Sequence, residues 1–384
     1  MSHVQRSIHI ALPSTGEEEW LSCREPLVSG WLTQGPQVLA FEKAFSIRHQ
    51  VKHALATTSC TTGLHLILAS LGIGPGDEVI LPAFTWVATA NVIIYCGAKP
   101  VFADVDRLTN NISPDEVARR LTKRTKAVIV VHLFGLCADV DAIRAILPKR
   151  VKLIEDAACA AGASYKGKPA GTLGDAAAFS FHPRKSITTG EGGMVTTNDD
   201  ELAELANKLR NHGAEISEEE RHNGSRPYLL PDFNVLGFNY RMTDLQGAIG
   251  LVQLGKLDRF IEERQRWAEY YRNEIADIPW LRTPVFSENY KHAWQAFVTY
   301  VDPVIAPMPR NAIMEYLQKC GISTRPGTHA IHKLGYYSQR FNLKPTDFPG
   351  ARDCDEQTMA IPLHNRMTLD DFQFITRKLK GIPF

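Results

Sequence analysis

Residues Gly174–Thr197 read GDAAAFSFHPRKSITTGEGGMVTT. The apolar run Ala176–Phe181 is long enough for one buried strand. Pro183, Arg184 and Lys185 follow, then two threonines and the glycines Gly190, Gly192 and Gly193. A second short strand-like run, Met194–Thr197, closes the stretch. One lysine therefore sits just beyond a buried strand, in a loop whose glycines let the backbone fold tightly. Such a lysine is expected to lose part of its hydration, which lowers its proton affinity and frees the amine as a nucleophile toward carbonyls. A lone basic loop residue is more often simply solvated, so the weight falls on what accompanies it.

Working outward, Val151–Ala158 reads VKLIEDAA, an apolar strand ending in Glu155 and Asp156. An ionised Asp156 just past a strand end would keep a pyridine nitrogen protonated and make a pyridoxal ring an electron sink. Further upstream, TTSCTTG at Thr57–Gly63 opens into a helical run, Leu64–Leu71. Small hydroxyl residues before a helix present free N–H groups to an anion such as a phosphate. Strand-end Asp, strand-end Lys and a hydroxyl-rich helix start are the three handles pyridoxal phosphate needs.

The surrounding chain is consistent with an α/β enzyme. Short Val- and Ile-rich runs at Glu78–Leu81, Pro100–Ala103, Ala127–Val131 and Val151–Ile154 alternate with helix-like stretches at Trp86–Tyr95, Pro114–Thr122 and Val140–Leu147. This alternation predicts βαβ units, a largely parallel sheet, and functional loops at the carboxyl ends of its strands. Asp156 and the approach to Lys185 both fall at such ends. GIGPG at Gly72–Gly76 precedes a strand and reads as a turn, because a dinucleotide fingerprint would follow one. Asn211–Gly237, which includes Ser217–Arg221, is a long polar loop. From Leu257 the positions Phe260, Ile261, Trp267, Ala268, Tyr271 and Ile275 keep helical spacing, predicting a long amphipathic helix. Trp294–Val301 reads as a strand, Arg310–Lys319 and Thr368–Lys380 as helices, and Ser323–His332 as a polar loop.

Length and composition bound the rest. A chain of 384 residues suits a large domain plus a smaller one, here 1–255 and 256–384. Hydrophobic content of 44% with 22% charged residues is that of a globular protein. With 43 basic against 42 acidic residues there is no electrostatic case for nucleic acid or a membrane surface. The seven cysteines are scattered and odd in number, with no CxxC, and no signal peptide opens the chain, so a reducing cytoplasm is expected. The thirteen histidines show no metal-ligand spacing, so no metal site is expected.

SFHPRKSITTGEGGMV resembles the cofactor-attachment segment of the DegT/DnrJ/EryC1/StrS family of sugar aminotransferases. GWLTQGPQVLAFEKAF, GIGPGDEVILPAFTWVATANVI, GAKPVFADVD, IEDAACAAGA and GFNYRMTDLQGAIG resemble further family blocks in family order, over most of residues 28–255. The resemblance implies a pyridoxal-phosphate enzyme of fold type I, working as a homodimer with shared active sites. Lys185 would form the resting Schiff base and then act as general base. Asp156 would pair with the ring N–H, and Trp86 would stack on the ring. Ser180 and the amides of Ser59, Cys60 and Thr61 would hold the phosphate, with Asn239 donated by the neighbouring subunit. Thr33, Gly35 and His182 become candidate substrate contacts, and Arg325 and His329 candidates for a carboxylate. The implied reaction moves an amino group, through pyridoxamine phosphate, from an amino acid such as L-glutamate to a keto sugar, nucleotide-linked, for surface polysaccharide or a secondary metabolite. Two positions depart from the family pattern: Cys159 stands where Gln or His is usual beside the cofactor, and Cys60 where Gly is usual. Dehydratases of this fold carry histidine at the lysine position, so Lys185 favours transamination over dehydration. Cyclitol transamination and a non-catalytic regulatory role are the other readings.

Overall fold

The computed structural model describes residues 6–216, 224 and 228–382; Ser217–Arg221 of the long polar loop lies outside them. Seven strands form the main sheet: β1 (His53–Thr57), β2 (Glu78–Pro82), β3 (Lys99–Ala103), β4 (Thr125–Val131), β5 (Lys152–Asp156), β6 (Ala176–Ser180) and β7 (Gly193–Thr197). Their order is β1-β7-β6-β5-β4-β2-β3. Strands β2 to β6 pair in parallel, whereas β7 runs antiparallel to both β6 and β1. Strand β1 therefore points the same way as the parallel set. Thr57, Asp156 and Ser180 end at one edge of the sheet, where such folds collect their ligands.

The pleat sends alternate side chains to opposite faces. Val79 and Leu81, Ile129 and Val131, Ile154 and Ala178 enter one apolar layer, with Leu64, Leu68, Val92 and Ile93. These last belong to α2 (Cys60–Ser70) and α3 (Ala88–Tyr95), which follow α1 (Pro36–His49). Ile80, Val128, Val130, Leu153, Ala177 and Phe179 enter the other layer, against Phe41 and Phe45 of α1 and Phe260 and Ile261 further on. A sheet covered on both faces explains why its strands read as unbroken apolar runs.

Helix α4 (Asp244–Glu274) leads out of this layer toward a second, antiparallel sheet. That sheet consists of β8 (Leu281–Arg282), β9 (Phe297–Val301), β10 (Arg325–Pro326) and β11 (Thr358–Ile361), in the order β8-β9-β11-β10. A third apolar cluster, with Tyr271, Phe297, Leu317 and Phe372, lies under it. The Arg264 guanidinium of α4 donates to the carbonyls of Trp294 (3.0 Å) and Leu363 (3.1 Å), and Tyr271 Oη donates to Pro362 O at 2.9 Å. Residue 255 falls inside the continuous α4.

Four element expectations need correction. Helix α2 starts at Cys60 and not at Leu64, because Ser59 and Thr62 form a reciprocal capping box at its start. Helix α4 starts at Asp244, thirteen residues before Leu257, capped by Thr243 and Gln246. The Ser323–His332 segment contains two short strands rather than an open loop, one of which pairs His329 with Thr85. Strand β9 begins only at Phe297, since Trp294 holds a φ of 49°.

Candidate active site

The lysine loop is the connection between β6 and β7, cinched at its base. Phe181 N–H donates to Gly192 O at 2.9 Å, Thr189 N–H to Phe181 O at 3.0 Å, and Thr188 Oγ1 to Phe181 O at 2.8 Å. Gly190 turns the chain with a φ of 82°, a region open to glycine at little cost. From outside, Gln253 Oε1 accepts the Thr188 N–H at 3.1 Å and Gln295 Nε2 donates to Arg184 O at 2.7 Å. Lys185 is thus held on a fixed loop, partly buried, with Nζ 3.2 Å from Cys159 Sγ.

Two carboxylates end β5, and the pleat decides between them. Glu155 faces away from the α2 layer, accepting N–H bonds from Gly171 (2.7 Å), Leu173 (2.8 Å) and Gly174 (2.6 Å). His132 Nε2 lies 2.8 Å from the same carboxylate, and because His132 Nδ1 accepts from Ala138 N–H, the ring proton sits on Nε2 and is donated to Glu155. Glu155 is fully occupied and structural. Asp156 faces the site, 5% exposed. It accepts from Thr89 Oγ1 at 2.8 Å and from Ala158 N–H at 3.2 Å, with Cys60 Sγ 3.9 Å away. Burial pushes its carboxyl above the usual value, outweighing Thr89, Ala158 and Lys185, which favour the anion. A cation placed beside it would restore the charged form.

At the third handle, Ser59 caps α2, its Oγ accepting the Thr62 N–H at 3.1 Å while Thr62 Oγ1 accepts the Ser59 N–H at 3.0 Å. The first-turn amides of Cys60 and Thr61 have no hydrogen-bond partner among the described residues. Gly193, opposite Ser180 in the β6–β7 pairing, lies directly against this turn. A Cβ at Gly193 would stand 2.5 Å from Ser59 O and 2.6 Å from Cys60 N. The helix start, Ser180 and Asp156 are thus drawn together by close backbone packing. Cys60 buries its thiol against Ala178 O at 3.4 Å, so only its N–H is offered to a ligand.

The other expected residues are scattered around this centre. Trp86 is 60% exposed, its ring centroid 5.7 Å from that of His329, which the Thr85–His329 strand pairing brings beside it. Arg325 Nε is buried with no hydrogen-bond partner among the described residues. Burial pulls the Arg325 guanidinium down, Arg184 adds to this, and Cys159 opposes it. His182 Nδ1 accepts the Arg184 N–H at 3.2 Å. Burial lowers its proton affinity first, and Lys185, Arg184 and Arg325 add to that against Glu191. Asn239 is exposed, on a segment anchored where Thr58 N–H donates to Tyr240 O at 3.1 Å. Thr33 is exposed. Gly35 lies buried next to the Trp31 indole, and its N–H is taken by Asp244 Oδ1 at 2.9 Å, so its contact is with the fold.

One expectation is overturned and several residues were missed. Burial does favour loss of the Lys185 proton, but Cys159, Cys60 and Asp156 outweigh it, so Lys185 holds its proton more tightly than a free lysine. Hydration loss alone was the wrong predictor because the lysine is surrounded by proton acceptors. Thr89, His132, Thr62 and Gly193 escaped notice as site residues. Thr89 lies three residues after Trp86, one helical turn on, which is the only local signal it carries.

A doubly covered, mostly parallel sheet that brings together a strand-end lysine, a buried strand-end aspartate and a bare helix start defines a class of α/β aminotransferase. The chain belongs to the DegT/DnrJ/EryC1/StrS aminotransferase family, whose sequence model matches residues 13–380. It is 40% identical, over 99% of its length and 98% of the relative's, to the spore coat polysaccharide biosynthesis protein SpsC of Bacillus subtilis. Among solved structures it resembles Spr1654 of Streptococcus pneumoniae, known in a PMP form and a PLP form, at a TM-score of 0.90. That match has 28% identity in the PMP form, covering 97% of each chain. It also resembles Helicobacter pylori PseC, an aminotransferase involved in pseudoaminic acid biosynthesis, at 0.89 and 29% identity over 98% of each chain. The fold is that of the fold-type-I pyridoxal-phosphate aminotransferases. The residues present fit such a cofactor. Among the described residues, Asp156 is a buried carboxylate with no cation hydrogen-bonded to it, two helix-start amides are free for an anion, and the Lys185 amine is close enough to Asp156 and Cys60 to feel their charge. Among the described residues no helix is long and apolar enough to cross a membrane, and no group of His, Cys, Asp and Glu side chains is placed to hold a metal.

Proposed function

We propose that this chain is a pyridoxal-phosphate-dependent transaminase that moves an amino group from an amino acid, L-glutamate by preference, to a nucleotide-linked keto sugar. The observation that carries this reading is the convergence of Lys185, Asp156 and the Cys60–Thr61 amides at one sheet edge. Similarity to SpsC and PseC, named for polysaccharide and pseudoaminic acid biosynthesis, supports a sugar acceptor and a role in making surface polysaccharide.

When bound, pyridoxal 5′-phosphate would supply an aldehyde to take up the amino group, with pyridoxamine phosphate as its aminated form, and a ring to draw off electron density. Asp156 would hold the ring N–H, and a cation there would return the buried carboxyl to its anionic form. Thr89 and Ala158 N–H fix the carboxylate's orientation. The Cys60 and Thr61 amides, with Ser180, bind the phosphate dianion at the positive end of α2. Trp86 covers one face of the ring. Lys185 would anchor the cofactor through its amine and would serve as the general base that moves a proton in the transamination. The buried, unpaired Nε of Arg325, with Arg184, His182 and His329, suits the donor carboxylate or the anionic part of the sugar. Thr33, exposed beside helix α1, suits a substrate contact.

Two copies complete the site in this reading, with Asn239 of one reaching the phosphate held by the other. Support comes from apolar side chains left in solvent in the stretch that precedes it: Tyr228, Leu230 and Leu236 are 75%, 83% and 92% exposed. The division into a large unit ending near 255 and a small one after it, with α4 shared, belongs to the same reading. Free thiols at all seven cysteines suit a reducing cytoplasm. The test is the visible absorption spectrum of the purified protein before and after L-glutamate. A long-wavelength cofactor band that gives way to the shorter-wavelength pyridoxamine band supports the reading. A bound cofactor that glutamate leaves unchanged refutes the donor, and no bound cofactor refutes the reading as a whole.

A further inference from the structure

The 3.2 Å contact between Lys185 Nζ and Cys159 Sγ joins the group read as the cofactor anchor to a thiol three residues past Asp156. The turn that carries Cys159 is fastened to β6, the strand leading to Lys185. Ala157 N–H donates to Ala178 O at 2.9 Å, and Ala160 N–H closes the turn on Ala157 O at 2.9 Å. Thiol and amine are therefore held opposite each other, the turn by its bond to β6 and the lysine by the loop that leaves the same strand.

The other ionisable groups facing this pair are few. Cys60 and Asp156 lie on the α2 side; His182 and Arg184 come from the lysine loop, and Arg325 from β10. Burial beside Asp156 pushes the Cys60 thiol well up, so it carries no charge at neutral pH. Asp156 is engaged by Thr89 and Ala158. His182, Arg184 and Arg325 are basic and disfavour a second cation. Of all these, Cys159 is the acceptor in direct contact with the amine.

We propose that Cys159 is a positioning residue for Lys185, accepting its N–H, aiming Nζ into the site, and holding the amine in its charged form. Cys159 then sets the pH at which the anchor lysine becomes a nucleophile. The proposal rests on the reading of Lys185 as the cofactor anchor and deepens it by naming what governs its charge. The direction agrees with the tighter proton held by Lys185, where Cys159 is the largest influence opposing burial.

The test uses full-length protein stripped of cofactor, with acetic anhydride as the probe, so it does not depend on catalysis. Labelling of Lys185 is followed against pH by peptide mass spectrometry, with the exposed Lys166 as internal standard. In Cys159→Ala the labelling midpoint should fall by about half a pH unit or more, with roughly threefold faster labelling of Lys185 on the rising part of the curve. Cys159→Ser, which keeps a hydroxyl oxygen as an acceptor in place of the larger sulfur, should fall between that variant and the wild type. A midpoint in Cys159→Ala equal to wild type, with the Lys166 standard unchanged, would overturn the proposal. If Cys159→Ala does not fold, a wild-type midpoint in Cys159→Ser does the same. Failure here leaves the aminotransferase reading standing, because that is judged by the cofactor spectrum.

Discussion

Replacing Gly193 by alanine tests the claim that close backbone packing builds the phosphate cradle. The new Cβ would lie 2.4 Å from Ser59 C, 2.5 Å from Ser59 O and 2.6 Å from Cys60 N. Carbon atoms prefer about 3.5–4.0 Å, so the start of α2 has to retreat by roughly 1 Å. Gly193 is not among the residues with positive φ, so alanine is acceptable to the backbone and the cost is the contact alone. Overpacking of this kind costs about 1–3 kcal/mol. The atoms that move include the Cys60 N–H assigned to the phosphate. At about 1.4 kcal/mol per tenfold, cofactor affinity should fall by roughly fivefold to a hundredfold. The assay is a cofactor titration by absorbance together with urea unfolding of the stripped protein. Gly255→Ala is the control: it lies in exposed α4 with nothing within 4 Å of its Cβ, and should stabilise by about 0.5–1 kcal/mol. A Gly193→Ala protein matching wild type in both unfolding midpoint and cofactor affinity would refute the packing argument.

Lys185→Ala should keep its fold and bind cofactor without a covalent link, while turnover drops by about 10²-fold or more; near-wild-type turnover would sink the role given to Lys185. Light scattering at working concentration should give at least a dimer, and an active monomer would remove the cross-subunit role of Asn239. His49, stacked on Phe45 at 3.9 Å, has its proton affinity pushed down to about 3 by burial. The unfolded chain takes up that proton near its ordinary 6.5, so stability is full above that pH. It falls by about 1.4 kcal/mol per pH unit as the pH drops toward 3. His49→Phe should therefore flatten the loss of unfolding free energy between about pH 7 and pH 4.5; an unchanged slope argues against a buried neutral His49.

Much of the site was legible in the chain because its handles are local. Lys185 lies in the loop just beyond its strand, Asp156 ends another, and the hydroxyl-rich turn at Ser59 opens a helix, so each could be placed from a short window. The strands were legible for the same reason: a sheet covered on both faces demands unbroken apolar runs. Capping moved the boundaries, since Ser59 and Thr62, or Thr243 and Gln246, begin a helix by hydrogen bonds that apolar spacing does not register.

What the sequence determined by itself is therefore the α/β class, the lysine, the aspartate and the hydroxyl-rich turn that leads into a helix. Local pattern encodes periodicity and the residues at strand ends. Only the tertiary structure decided what these groups feel. The pleat turned Asp156 into the site and Glu155 onto the Gly171–Gly174 amides, although the two are neighbours in the chain. Packing set Gly193 against Ser59, Thr89 on Asp156, and Cys159 on Lys185. Cys159, Cys60 and Asp156 together reversed the expected direction of the lysine's proton affinity. Charge and desolvation depend on distances between segments far apart in sequence, and no window of sequence contains those distances.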